Sequence, residues 1–120
     1  MKENHISEEE YMFKDLCSQV KNLIQNREFE SCYKMIAEEM KNSPHAPEPH
    51  NLLGMLLEKQ GNHILAMKHF RAAWALDPTY LPARHNLEVY GMSFFGGSGA
   101  YDREDCPILD EKRRNRNENK

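Results

Sequence analysis

The side chains in this chain with the means to do chemistry are six histidines and three cysteines. Three histidines converging with an open position would hold a metal, and one beside a carboxylate would carry protons. The spacing supports neither role. No pair among His5, His45, His50, His63, His69 and His85 stands four apart on one helix with a supporting acid, and His45 and His50 straddle a proline-rich turn. They read as surface or packing histidines, and no metal is expected. Cys17, Cys32 and Cys106 are odd in number and lack metal spacing. Cys17 and Cys32 fall on apolar faces, where a free thiol behaves as a small hydrophobe. No Cys-His or Ser-His-Asp arrangement follows from the spacing. Gly96-Gly97-Ser98-Gly99 lacks the lysine and the following helix that a phosphate loop requires, and reads as a hinge. The chain is therefore expected to be no enzyme, with no catalytic residue and no cofactor.

Its 120 residues bound it to one domain with chain left over for tails. The formal charge of −3 argues against nucleic acid as the main partner, which needs a dominant basic face. Residues 1–46 hold 6 basic and 9 acidic side chains, residues 47–94 hold 4 of each, and the rest hold 6 of each. The longest apolar runs, such as Leu52 to Leu57, fall far short of the roughly 20 residues a membrane span needs. The first ten residues lack the apolar stretch of a signal peptide. Free thiols and no leader point to a reducing cytoplasm.

Five amphipathic helices must position whatever the chain does. Ser7 followed by Glu8, Glu9 and Glu10 resembles a capped helix start. Phe13, Leu16, Cys17, Val20, Leu23 and Ile24 then recur at helical steps to about Asn26. A second helix runs from about Glu28 to Lys41 and is stopped at Asn42-Ser43-Pro44. A third starts near Pro47 and ends at Gln60, where Gly61 supplies a left-handed stop. A fourth spans about His63 to Leu76, ended by Asp77-Pro78, and a fifth about Leu81 to Met92. Short turns make neighbours antiparallel. No stretch alternates with strand period. The fold class is all-α, stacked antiparallel helix pairs: a residue 1–7 extension, a helical domain over 8–95 and a flexible tail over 96–120.

Residues 47–80 repay a closer look. Leu53, Gly54, Leu57, Gly61, Ala66, Phe70, Ala73 and Pro78 stand at the spacing of a 34-residue helix–turn–helix unit. This resembles a tetratricopeptide repeat. Two of the eight usual signature places depart, His50 for a tryptophan and Leu57 for a tyrosine. Shifted back by 34, Phe70 falls on Ile36, Ala66 on Cys32 and Pro78 on Pro44, but Gln19-Val20 replaces the Leu-Gly pair. Shifted forward, Leu53 falls on Leu87. The resemblance implies a short solenoid of about two repeats plus a closing helix. Gly54 and Ala66 are small where two helices approach. Trp74 is expected to pack against the fifth helix, with an interface anchor as the other reading.

The same resemblance implies a non-catalytic adaptor that binds a peptide or protein segment in a concave groove lined by the first helix of each pair. Carried over, the groove residues are Lys14 and Lys21 on the first helix; Glu48, Asn51, Met55, Glu58 and Lys59 on the third; and His85, Val89 and Met92 on the fifth. One alternative is a homodimer through residues 81–95, because a second apolar stripe of His85, Val89 and Met92 has no sixth helix to cover it. Another is an auxiliary subunit that contacts nucleic acid or acidic partners through the basic run Lys112 to Arg116. The tail is too polar to offset its ordering entropy, so disorder is expected there; the alternatives are that it folds back on the domain, Pro107-Ile108-Leu109 onto the fifth helix or residues 100–112 into the concave face, or that Pro107-Ile108-Leu109 serves as a short linear motif.

Overall fold

The structure, a computed structural model, describes residues 12–91 and 98–106. Five helices follow in order: α1 Lys14–Gln25, α2 Phe29–Asn42, α3 Pro47–Lys59, α4 His63–Leu76 and α5 Leu81–Gly91, then a 3-10 turn at Arg103–Asp105. Among the described residues there is no strand, so the protein is all-α, with each helix packed on the next in a repeat-like stack. The Ser7 start and Met92 lie outside the described residues. No described helix is long and apolar enough to cross a membrane.

The turns show why these segments pair. At the end of α1 the Arg27 N–H donates to the Ile24 carbonyl and the Glu28 N–H to the Leu23 carbonyl. At the end of α3 the Gly61 N–H donates to Glu58 and the Asn62 N–H to Leu57. Each bond of the second set lies 34 residues after its counterpart in the first. Both are helix stops made by one residue in the left-handed region, which satisfies carbonyls the helix leaves open. Gly61 has φ +85° and Arg27 φ +60°. Pro47 opens α3, where its missing N–H has no helical partner to lose. Asn62 caps α4, its Oδ1 accepting the Leu65 N–H at 3.4 Å.

The core gathers Phe13, Val20, Ile24, Cys32, Ile36, Leu52, Leu56, Ala66 and Phe70, with a small second cluster of Ala73, Tyr80 and Ala83. Helix α3 is its axis: it meets all four other helices, and it is buried over most of its length. A Cβ added at Gly54 would lie 2.4 Å from the Phe70 ring, so glycine there makes room for that ring. Trp74 departs from the expectation of burial. It is 43% exposed, its Nε1–H donating to the Pro78 carbonyl at 3.2 Å, which ties the indole to the turn after its own helix.

The stretch from 96 onward, expected to be flexible, includes residues 98–106 packed across the helices, with Ala100, Tyr101 and Cys106 buried. Its sequence is polar, but its main-chain groups are met by side chains. That compensation is not visible in composition. Pro107-Ile108-Leu109 and the basic run at 112–116 lie outside the described residues.

Candidate functional site

Three helices, α1, α3 and α5, turn one side to a common groove, and residues 98–106 run through it as a strap. The strap is held by an asparagine pair. Asn86 donates through Nδ2 to the Ala100 carbonyl at 2.8 Å and accepts the Ala100 N–H on Oδ1 at 2.7 Å. One side-chain amide thus answers both main-chain groups of one residue, as a neighbouring strand would. Asn51 donates from Nδ2 to the same carbonyl at 3.0 Å and accepts the second Asn86 N–H on Oδ1 at 2.8 Å. Both asparagines are fully buried. Buried polar groups satisfied this way fix one arrangement, because a partly satisfied set would cost more than it contributes.

The rest of the strap is read by shape and charge. Gly99 passes so close to α3 and α5 that a Cβ there would lie 2.4 Å from the Tyr90 hydroxyl and 2.8 Å from the Met55 side chain. The Tyr101 ring enters the main core, and Lys21 Nζ stands 5.7 Å from its centre. Burial is the main cause that pushes the Tyr101 phenol up to about 12. The Tyr101 N–H donates to Asp105, and Asp102 and Asp105 cap each other's main-chain N–H groups to close the 3-10 turn. Burial, then the charges of Asp105 and Glu104, raises the Asp102 carboxyl above its ordinary range. Lys14 pairs with Glu104 at 3.0 Å and Lys21 with Asp105 at 3.7 Å. His85 donates from Nε2 to the Ser98 carbonyl at 2.8 Å, which places that ring's proton.

Beside the strap the groove continues as a cleft of about 850 Å³. Its lining is mainly basic, with Lys21, Arg27 and Lys59 beside the carboxylate of Asp105, and includes Ser98, Gly99 and Tyr101 of the strap.

The residues expected in the groove divide accordingly. Lys14, Lys21, Asn51 and His85 each bond or pair with the strap, Met55 lies against Gly99, and Lys59 lines the open cleft. Glu48 is buried in α3 instead of facing solvent. Glu58 pairs with His63 at 2.6 Å across the turn to α4. Val89 is buried, and Met92 lies outside the described residues. The apolar stripe that suggested a dimer is therefore covered within the chain at Val89, and His85 is engaged by the strap.

Asn86 and the strap's Gly99, Ala100 and Tyr101 were not among the residues expected to form the groove. A signal exists: Asn51-Leu52 recurs 35 residues on as Asn86-Leu87. Of the chemistry-bearing residues, all three cysteines are buried. Burial pushes the Cys32 thiol up to about 11, and burial followed by the charges of Asp102, Glu48 and Asp105 pushes Cys17 up further still. Neither is poised as a nucleophile. His50 and His69 stack with their Nδ1 atoms 3.1 Å apart. Among the described residues no three His, Cys, Asp or Glu side chains gather as a metal site. No family model, curated protein or solved structure matches the chain.

Proposed function

We propose that the protein is a non-catalytic adaptor of tetratricopeptide type, working in a reducing cytoplasm, that holds a segment of another protein in the groove of α1, α3 and α5. One observation carries this reading: the groove already holds a segment of chain, gripped at Ala100 through its main chain by Asn51 and Asn86. A site that recognises main-chain groups takes any segment of suitable shape, which is the economy of strand-mimicking recognition. The mainly basic lining of the open cleft supports an acidic occupant. Thiols driven toward the protonated state fit binding better than nucleophilic turnover.

The test uses the exposed wall and leaves the buried asparagines alone. Lys21→Glu/Lys59→Glu should cut recovery of bound partners at least about tenfold, since rim charges govern encounter and orientation. The melting temperature should move by no more than a few degrees, because exposed charges contribute little to stability. Partners recovered in full from the charge-reversed protein would place binding elsewhere.

A further inference from the structure

The strap itself specifies what the groove fits. We infer that the groove takes, in trans, an acidic segment with glycine, a small residue, an aromatic residue and aspartate in succession and a second aspartate three residues later, and that residues 98–106 occupy that segment's place until it displaces them. This rests on the adaptor reading above and adds the chemistry of the partner.

Each position of that pattern has its own physical filter. At Gly99 a Cβ would lie 2.4 Å from the Tyr90 hydroxyl and 2.8 Å from the Met55 methyl, so any side chain there must push those groups aside. Ala100 is wholly enclosed, so a large side chain has nowhere to go. Its two main-chain groups are the ones bracketed by Asn86. The next side chain drops into the core as Tyr101 does, beneath the Lys21 ammonium. Asp102 and Asp105 close the turn by capping main-chain N–H groups, and that turn delivers the acidic side chains to Lys14 and Lys21. A basic side chain in place of Glu104 or Asp105 would face those lysines directly.

Displacement is physically reasonable. The strap has no regular structure beyond one short 3-10 turn, and the ion pairs Lys14–Glu104 and Lys21–Asp105 are between largely or partly exposed side chains, each worth little. Most of the core comes from the helices alone. What favours the strap over an equivalent free peptide is its tether. A short covalent connection makes seating intramolecular, with an effective concentration on the order of millimolar, so a free peptide competes poorly until it is matched or bettered in affinity.

The experiment uses a fluorescent peptide with the sequence of residues 98–106, carrying Cys106→Ser, and the full chain. Ala100→Arg blocks seating of the tethered strap by bulk. Tyr101→Ser weakens it by removing the ring. The peptide should bind both variants on the order of 100-fold more tightly than it binds the wild-type chain. Peptides carrying Tyr101→Ser or Gly99→Val should bind the Ala100→Arg protein at least tenfold more weakly than the parent peptide. Equal binding to wild type and variants, or binding to neither variant, overturns the proposal. So does loss of helical circular dichroism at 25 °C in both variants, which would make the strap an inseparable part of the core. A concentration-dependent dimer of wild type, with peptide excluded from both variants, would give the groove to a second copy and overturns it too. If the peptide fails while Lys21→Glu/Lys59→Glu still abolishes partner recovery, the adaptor role stands and only the partner chemistry falls.

Discussion

The α1–α2 pair and the α3–α4 pair share one main-chain frame and fill it with different side chains. The frame match extends past the turns: Cys32 N–H to Glu28 and Ala66 N–H to Asn62, Ser43 to Glu39 and Asp77 to Ala73, Ala46 to Ser43 and Tyr80 to Asp77 are the same bonds 34 residues apart. The fillings differ in kind. Gly54 and Phe70 stand in the second pair where Val20 and Ile36 stand in the first, and all four are buried. One pair joins nothing to a large ring, and the other joins two middle-sized branched chains. The frame requires that volume be filled, and it is indifferent to which helix supplies it.

The largest expected effect tests that statement. Phe70→Ala should cost about 4–5 kcal/mol, because Gly54 has no side chain to move into the void. Ile36→Ala should cost about 2–3 kcal/mol, since Val20 offers atoms for partial collapse. Gly54→Val alone should cost about 3 kcal/mol, its Cβ driven into a ring that is sealed on all sides. The transplant Gly54→Val/Phe70→Ile, which installs the first pair's residues in the second, should recover to within about 1.5 kcal/mol of wild type. Urea denaturation checks all four. A transplant no better than the worse single change would show that the two interiors are not interchangeable.

The same contrast explains what was legible in the sequence. The helices were, because period and stop signals act locally: Pro47, Gly61 and Asp77-Pro78 mark ends that the structure keeps. The second pair was legible because Gly54, Ala66 and Phe70 hold a familiar pattern of sizes. In the first pair Val20 and Ile36 do the same work with other volumes, so a residue-by-residue shift shows little. Half of the groove was legible, since residues three and four apart on α1 and α3 share a face. Glu48 and Met55 were expected on an open surface and are covered. The strap was hidden for a different reason. Its attachment is a pairing of side-chain amides with main-chain groups 49 and 14 residues away in sequence, and polar composition alone predicts disorder for such a segment.

A smaller effect sharpens the comparison at the turns. Gly61 and Arg27 hold matching left-handed conformations, and nothing lies within 4 Å of a Cβ at Gly61. Gly61→Ala should therefore lose only the backbone preference, about 1 kcal/mol. Arg27 already bears that cost. Arg27→Gly relieves it, but glycine adds about 0.5–1 kcal/mol of chain entropy to be lost on folding, and the guanidinium now 5.2 Å from the Phe29 ring centre goes with it. The net change at Arg27 should lie within about 0.5 kcal/mol of zero. Thermal melts of both variants decide this, and a large gain from Arg27→Gly would mean that arginine is tolerated there at greater strain than its φ suggests.

The smallest effect separates the pairs by pH. His50 and His69 in the second pair occupy the places of Leu16 and Met35 in the first, which line one outer cleft between α1 and α2. The stacked imidazoles share a hydrogen bond at 3.1 Å that needs one protonated and one bare Nδ1, so two imidazolium rings would set donor against donor. Burial lowers the pKa of His50 below its ordinary 6.5, and burial followed by the charge of His50 lowers that of His69. Well above pH 6.5 neither folded nor unfolded chain is protonated at these rings, and they add no pH dependence. Below it the unfolded chain takes up protons that the folded chain resists, so stability falls with pH until the folded-state values are passed. Both rings are only half-buried, and water moderates the loss. The melting temperature should drop by a few degrees more between pH 7 and 5 in wild type than in His50→Leu/His69→Met, which gives the second pair the first pair's apolar contact. Because acid acts on many other groups as well, the difference between the two proteins is the decisive quantity. Parallel pH curves for wild type and transplant would mean that the imidazole pair opens to water at no cost, leaving the two junctions equivalent in acid.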